Sequence, residues 1–114
     1  MIKGIGVDAV SIQRMAQSIN INGFIEGNFT PAEIRNCHGD EAEYYATRFA
    51  CKEAVYKAIS KYISLDWRCI EVLNSPSGSP VVTHTAAYLD AGIHRILISI
   101  ATESDLAFAY CIAE

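Results

Sequence analysis

One short segment of the chain combines an apolar pattern with closely spaced charges. Residues 48–58 read RFACKEAVYKA, and their spacing predicts a helix with a broad apolar arc. Glu53 and Lys57 lie one turn apart outside that arc, where a surface ion pair would contribute only about 0.3 kcal/mol. Arg48 and Lys52 are also four residues apart, and like charges at that spacing repel each other. This repulsion hints at an anionic partner without proving one.

A second candidate is an acid at the end of a predicted strand. Residues 2–10 alternate, so Gly4, Gly6 and Asp8 share one face of that strand. Glycines weaken a strand, but they let another group approach its backbone closely. Asp8 could be a solvated strand end, or it could join Glu53 as a ligand of Mg²⁺, which usually takes one or two carboxylates together with water and substrate phosphate. The basic residues of the helix would then bind further phosphate oxygens.

The elements that position these residues indicate an α+β fold. Capping signals and helical spacing predict helices over 11–19 with Ser11 as the cap, from TPAEI onward with a capping box, over 40–63, and in TAAYLDAG. Period-two alternation predicts strands in WRCIEVLN, PVVTH, HRILISIA and LAFAYCIA, while NINGFIEGNF reads as a loop. TESD joins the last two strands as a hairpin. We therefore expect one domain over residues 1–114, with a small antiparallel sheet packed on one long helix and shorter helices.

Composition limits the classes of function. Of the 114 residues, 51% are hydrophobic and 19% are charged, which is typical of a globular protein. The net charge of -4 gives no basic surface for nucleic acid. We expect no membrane partner and a cytoplasmic location, since no apolar run approaches a membrane span and the N-terminus does not read as a signal. The four cysteines have no paired spacing, which agrees with a reducing compartment.

Two motifs carry a resemblance to a known family. GIGVD at residues 4–8 and RFACKEAVYKA at 48–58 resemble the holo-acyl-carrier-protein synthases, the small 4'-phosphopantetheinyl transferases. That family has a strand ending G-I-G-x-D and a helix reading R-F-A-x-K-E-A-x-x-K-A. The likeness continues in family order through an arginine after the first strand, an F…T..E segment, the SGSPVV turn and strand, and the closing hairpin, with matching residues Arg14, Phe24, Thr30 and Glu33.

The resemblance implies a reaction in which the phosphopantetheine arm of coenzyme A is transferred to a serine of an apo acyl carrier protein, with release of 3',5'-ADP. It implies that Asp8 and Glu53 are catalytic carboxylates that hold Mg²⁺. The attacking serine must lose its proton, and a carboxylate such as Glu53 could take it directly or through a metal-bound water. Lys57 would stabilise charge on the pyrophosphate, and Arg48 and Lys52 would lie near the phosphates of the coenzyme. The likeness also implies a homotrimer, with each site shared between neighbouring chains.

The remaining positions include departures from the family pattern. Arg14 would meet the acidic carrier protein, and Pro80 belongs to the turn and strand beside the coenzyme. Ser60 and Lys61 stand where the family has a Gly-rich turn that can cradle phosphate, and Lys61 could supply charge instead. Thr102 stands at the position where the family has a histidine, and a threonine there cannot carry a positive charge. Two functions therefore stay open: an active transferase, which the carboxylates and basic residues favour, and a non-catalytic or specialised relative that binds coenzyme A or a carrier protein.

Overall fold

The computed structural model describes residues 1–114. Its elements follow in the order β1 (Gly4–Ser11), α1 (Ile12–Ser18), α2 (Phe24–Asn28), α3 (Pro31–Arg35), α4 (Glu41–Ile59), a 3₁₀ helix (Trp67–Cys69), β2 (Val72–Asn74), β3 (Pro80–Val82), α5 (Ala86–Asp90), β4 (Ile96–Glu103) and β5 (Leu106–Ala113). None of these helices is long and apolar enough to cross a membrane. The predicted α+β class is confirmed.

The strands form two antiparallel sheets. The larger has the order β1-β5-β4, and the smaller is the β2–β3 hairpin. Asp8 pairs with Ala109 in the larger sheet, and β4 and β5 are joined by a tight turn in which Ser104 has a φ of 53°. The hairpin predicted from TESD is therefore present.

Helix α4 lies across β1 and β5 at very short range. A Cβ atom on Gly4 would lie 1.9 Å from the carbonyl oxygen of Ala58, and one on Gly6 would lie 1.9 Å from that of Ala54. The group that approaches the glycine face of the strand is therefore the helix backbone itself. The predicted apolar arc of the helix is buried in this contact, with the members Ala50, Cys51, Ala54, Val55, Ala58 and Ile59.

The opposite face of the larger sheet is apolar and exposed. Ile5 and Tyr110 keep 72% and 61% of their surface accessible in the single chain. Val7, Leu97 and Ile112 on the same face are also exposed. A continuous apolar sheet face is a typical interaction surface.

Local boundaries differ from the sequence prediction in three places. Helix α4 ends at Ile59 and not at 63, with Ser60 as its C-cap. NINGFIEGNF is not all loop, because α2 begins after Gly23, which has a φ of 85°, and its apolar side chains pack on a second core. WRCIEVLN begins as a 3₁₀ turn, because the Asp66 carboxylate accepts a hydrogen bond from Arg68 N, and only its last residues pair as a strand.

Candidate active site

Asp8, Glu53 and Lys57 meet where the end of β1 crosses α4. Lys57 Nζ lies 3.3 Å from Asp8 Oδ1 and donates to the Val7 carbonyl oxygen at 3.1 Å. No salt bridge joins Lys57 to Glu53, so the ion pair considered from the helix spacing is replaced by one between helix and strand. The tertiary contact thus leaves the Glu53 carboxylate free for other partners.

Asp8 and Glu53 line one open cavity of about 480 Å³. Arg14 of α1 lies at the same cavity, and Phe49 of α4 forms part of its apolar wall. The cap of α1 fixes this corner, since Ser11 Oγ accepts from Arg14 N at 3.1 Å. The structure thus places Asp8 and Glu53 at one cavity, and their role as ligands of one divalent ion stays a prediction.

The surroundings of Glu53 in this cavity raise the pKa of its carboxyl group above that of a solvated glutamate. Partial burial raises the pKa of Glu53, and the neighbouring Asp8 carboxylate raises it further. Lys57 opposes these effects but does not cancel them. A carboxylate with a raised pKa is a better proton acceptor near neutral pH.

The donor set suits a hard divalent cation with few protein ligands. No group of three or more His, Cys, Asp or Glu side chains gathers in the chain, so Asp8 and Glu53 are the available pair here. Mg²⁺ usually takes one or two carboxylates and keeps its other positions for water and phosphate oxygens. The residues present therefore fit Mg²⁺ better than a metal that requires a complete protein shell.

A second cavity, of about 340 Å³, contains Arg48 and Thr102. Arg48 is buried, its guanidinium lies 4.6 Å from the centre of the Tyr44 ring, and its Nη2 donates to Asn74 Oδ1. Its Nε is buried without a partner. Because Arg48 lines this cavity and forms no salt bridge, its guanidinium can bind an anion there.

Sequence reasoning missed several residues of this second cavity, namely His38, Tyr44, Asn74 and Gly78. Asn74 directly precedes the SPSGS segment of residues 75–79 and Gly78 lies within it, so the turn signal located them without giving them a role. His38 precedes the long helix, and the adjacent cysteine was the only sequence feature that could have suggested a functional role for it. Their common position depends on the way the β2–β3 hairpin folds against α4, which no local pattern encodes.

Lys52 does not lie with the other basic residues. Its ammonium is fully buried, 2.7 Å from Glu33 Oε1 and 3.2 Å from the Arg68 carbonyl oxygen. Burial lowers the pKa of Lys52, and the bond to Glu33 opposes that effect. The expectation that Lys52 reaches a phosphate of the coenzyme does not hold in this structure, because α3 and the 3₁₀ segment cover that side of α4.

Three further predicted residues lie at the edges of the two cavities. Ser60 and Lys61 are exposed and follow α4 within about one turn of Lys57. They can approach a ligand bound near Lys57, but the segment shows no Gly-rich cradle. Pro80 begins β3 and pairs with Asn74, which places it beside the Arg48 cavity.

The fold and the site together describe a small α+β protein whose carboxylate and basic groups suit a polyanionic ligand. A family model described as the 4'-phosphopantetheinyl transferase superfamily matches residues 4–111. The chain therefore belongs to the 4'-phosphopantetheinyl transferase superfamily.

Relatives and solved structures narrow this assignment. The chain is 43% identical to a holo-[acyl-carrier-protein] synthase of Desulforudis audaxviator, over 99% of this chain and 93% of the relative. The crystal structure of the Neisseria meningitidis synthase superposes with a TM-score of 0.87 at 31% identity, covering 100% of this chain and 99% of that one. The Helicobacter pylori synthase, solved in complex with coenzyme A, gives 0.81 at 29% identity, covering 96% and 99%. The predicted family, fold and enzyme class are confirmed.

Proposed function

We propose that this protein transfers the 4'-phosphopantetheine arm of coenzyme A to a serine of an apo acyl carrier protein and releases 3',5'-ADP. The observation that carries the proposal is the meeting of Asp8, Glu53 and Lys57 at one strand–helix crossing, in a chain of this family. Two carboxylates and an ammonium beside an open cavity match the needs of a pyrophosphate substrate.

The transfer forms a bond between the serine Oγ and the phosphorus that bears the pantetheine arm. The bond from that phosphorus to the bridging pyrophosphate oxygen breaks, and the electron pair leaves with 3',5'-ADP. The serine proton passes to Glu53, whose carboxylate lines the cavity beside Asp8 and Arg14. Lys57 stabilises the negative charge on the phosphate oxygens, and since its side chain is 50% exposed it can exchange Asp8 for a phosphate.

Asp8 and Glu53 would hold Mg²⁺ in this site. When bound, the ion would supply positive charge that compensates the pyrophosphate. Asp8 also contacts Lys57, so its carboxylate orders this basic group in addition to the cation that it would hold.

The positions of the basic residues favour a site built from two chains. Arg48 and Glu53 are five residues apart on α4, so their side chains point about 140° apart around the helix axis. They line separate cavities with no residue in common. A neighbouring chain could bring its Arg48 and Thr102 to the carboxylates of the first. The exposed apolar face of the sheet supports this assembly, and we propose a homotrimer.

Arg14 is the residue on which we expect the carrier protein to dock. It is exposed on α1 and lines the cavity of Asp8 and Glu53, so a carrier bound there would have its serine near the proton acceptor. Its neighbours Gln13 and Gln17 are exposed and uncharged. We expect only weak long-range attraction, because the chain itself carries a net charge of -4.

The four free cysteines agree with a cytoplasmic reaction.

The direct test is incubation of the protein with coenzyme A, Mg²⁺ and an apo acyl carrier protein, followed by mass spectrometry of the carrier. A mass gain of one phosphopantetheine group on its serine, lost with Glu53→Gln and kept with Glu26→Gln at an exposed acid of α2, supports the proposal. Binding of coenzyme A without any mass gain would favour the non-catalytic alternative raised by Thr102.

A further inference from the structure

Asn74 ends strand β2, and its side-chain amide makes two directional contacts. Its Oδ1 accepts a hydrogen bond from Arg48 Nη2, and its Nδ2 donates to the Gly78 carbonyl oxygen at 2.8 Å. Only the amide oxygen can accept from a guanidinium, and only the amide nitrogen can donate to a carbonyl. Both ends of the amide are therefore used, and its orientation is fixed by the hairpin turn.

The strand that carries Asn74 is held in place by a buried carboxylate. Glu33 Oε2 accepts from Val72 N at 2.9 Å, while Glu33 Oε1 accepts from Lys52 Nζ at 2.7 Å. Both Glu33 and Lys52 are fully buried. This pair ties β2 to α4 only two residues before Asn74, so Asn74 has a defined position relative to Arg48.

Arg48 has few other restraints. No salt bridge of the protein includes it, and its Nε has no hydrogen-bond partner. Arg48 Cζ lies 4.6 Å from the centre of the Tyr44 ring, a cation–π contact that holds the charge near the ring without a directional hydrogen bond. The bond to Asn74 Oδ1 is the one side-chain hydrogen bond that orients the guanidinium.

We propose that Asn74 is a positioning residue for coenzyme A, which holds the Arg48 guanidinium toward a phosphate group in the cavity that Arg48 and Thr102 line. The inference rests on the proposed function, which brings the coenzyme to this site. A neutral amide suits this role, because a carboxylate at the same place would neutralise Arg48 and repel the phosphate. Asn74 acts through Arg48 and does not itself need to touch the substrate.

The first experiment measures steady-state kinetics of Asn74→Ala. We expect KM for coenzyme A to rise about tenfold, the effect of losing one well-placed hydrogen bond to a charged group. We expect kcat and KM for the carrier protein to change little, because the contact is remote from the reacting bond. Ser77→Ala is the matched control, since Ser77 lies in the same turn and contacts only other serine hydroxyls. Asn74→Asp should also raise KM for coenzyme A, even though an oxygen acceptor remains.

The second experiment separates positioning from simple support of the hairpin. Calorimetric binding of coenzyme A is measured for Arg48→Gln with and without Asn74→Ala. If Asn74 acts through Arg48, the second substitution should weaken binding no further. An undiminished effect of Asn74→Ala in the Arg48→Gln background, or an unchanged KM in the single variant, would overturn the inference. A wild-type protein that bound coenzyme A but modified no carrier would overturn the proposed transfer, whereas the calorimetric comparison would still decide the role of Asn74, so the two failures are distinguishable.

Discussion

Glu53 shows how neighbours set the chemistry of a single side chain. Partial burial and the Asp8 carboxylate both raise the pKa of Glu53, while the ammonium of Lys57 forms its ion pair with Asp8. The folded protein therefore holds the Glu53 proton more tightly than an unfolded chain would. Ionisation of a carboxyl group whose pKa is raised in this way lowers the free energy of unfolding of the protein.

We expect Glu53→Gln to abolish transfer and to stabilise the fold at neutral pH. Since the pKa of Glu53 is raised, ionising it lowers the free energy of unfolding as pH rises above its ordinary value of 4.5. Glutamine avoids that loss, so the gain in melting temperature should be present near neutral pH and should shrink as the pH falls below that value. Calorimetry across this range measures it. Glu26→Gln, at an exposed acid of α2, should show no such trend, and an absent gain for Glu53→Gln would contradict the prediction.

We expect Thr102→His to lower KM for coenzyme A with little change in kcat. Thr102 shares its cavity with Arg48, and a charge-assisted hydrogen bond from an imidazolium to a phosphate would change KM by about tenfold or more. The gain should diminish as pH rises past about 6.5, where the imidazole loses its proton. Steady-state kinetics at several pH values measure this. If KM for coenzyme A were unchanged in Thr102→His while Glu53→Gln was inactive, the absence of the family's histidine at position 102 would have no importance in this chain.

At the scale of elements, the crossing of β1 and α4 determines where the carboxylates stand. The strand lies so close to the helix because Gly4 and Gly6 lack side chains where the carbonyls of Ala54 and Ala58 approach. Asp8 follows on the same face of the strand and therefore emerges beside the charged side of the helix. Any change in this spacing should displace Asp8 from Glu53 and Lys57.

We expect Gly6→Ala to destabilise the fold by about 3 kcal/mol or more, because its Cβ would overlap the helix backbone and no flexible side chain can yield. Gly27→Ala is the matched control. A Cβ there meets nothing within 4 Å, so inside α2 it should stabilise by about 0.5–1 kcal/mol. Urea denaturation of both variants measures the difference. Equal effects of the two substitutions would show that the helix and strand can move apart at little cost.

At the scale of the whole molecule, the exposed sheet face is the strongest sign of assembly. We expect Tyr110→Glu, near the centre of this face, to convert the wild-type oligomer to a monomer in analytical ultracentrifugation, because a charge would then have to be buried. Leu89→Glu, at an exposed apolar position of α5, should leave the oligomer unchanged. A wild-type protein that stays monomeric at micromolar concentration would count against the trimer and the shared site.

Sharing of the site between chains can be tested by complementation. Glu53→Gln and Arg48→Gln chains should each be inactive or severely impaired alone, since each removes one part of every site. When the two are denatured and refolded together, about one quarter of the sites in a randomly mixed trimer would join an intact Glu53 to an intact Arg48. Transfer activity should then reappear. If no activity returned in verified mixed trimers, both residues would have to serve within one chain.

The sequence by itself determined the features that depend on local spacing. The alternation of β1 placed its glycines and Asp8 on one face, the helical period placed six residues of α4 in the core, and the capping box at Thr30 located α3. The motifs around Asp8 and Glu53 also identified the family. These features are short-range, so the order of residue types along the chain is enough to specify them.

Only the tertiary structure decided which charged groups form ion pairs with one another. The helical period indicates that Lys52 lies outside the apolar arc, but not that Glu33 and the 3₁₀ segment cover it. The same period pairs Lys57 with Glu53, whereas the neighbouring strand offers it Asp8 instead. Periodicity defines the faces of a helix, and the packing of distant segments decides which of those faces meet solvent, substrate or protein.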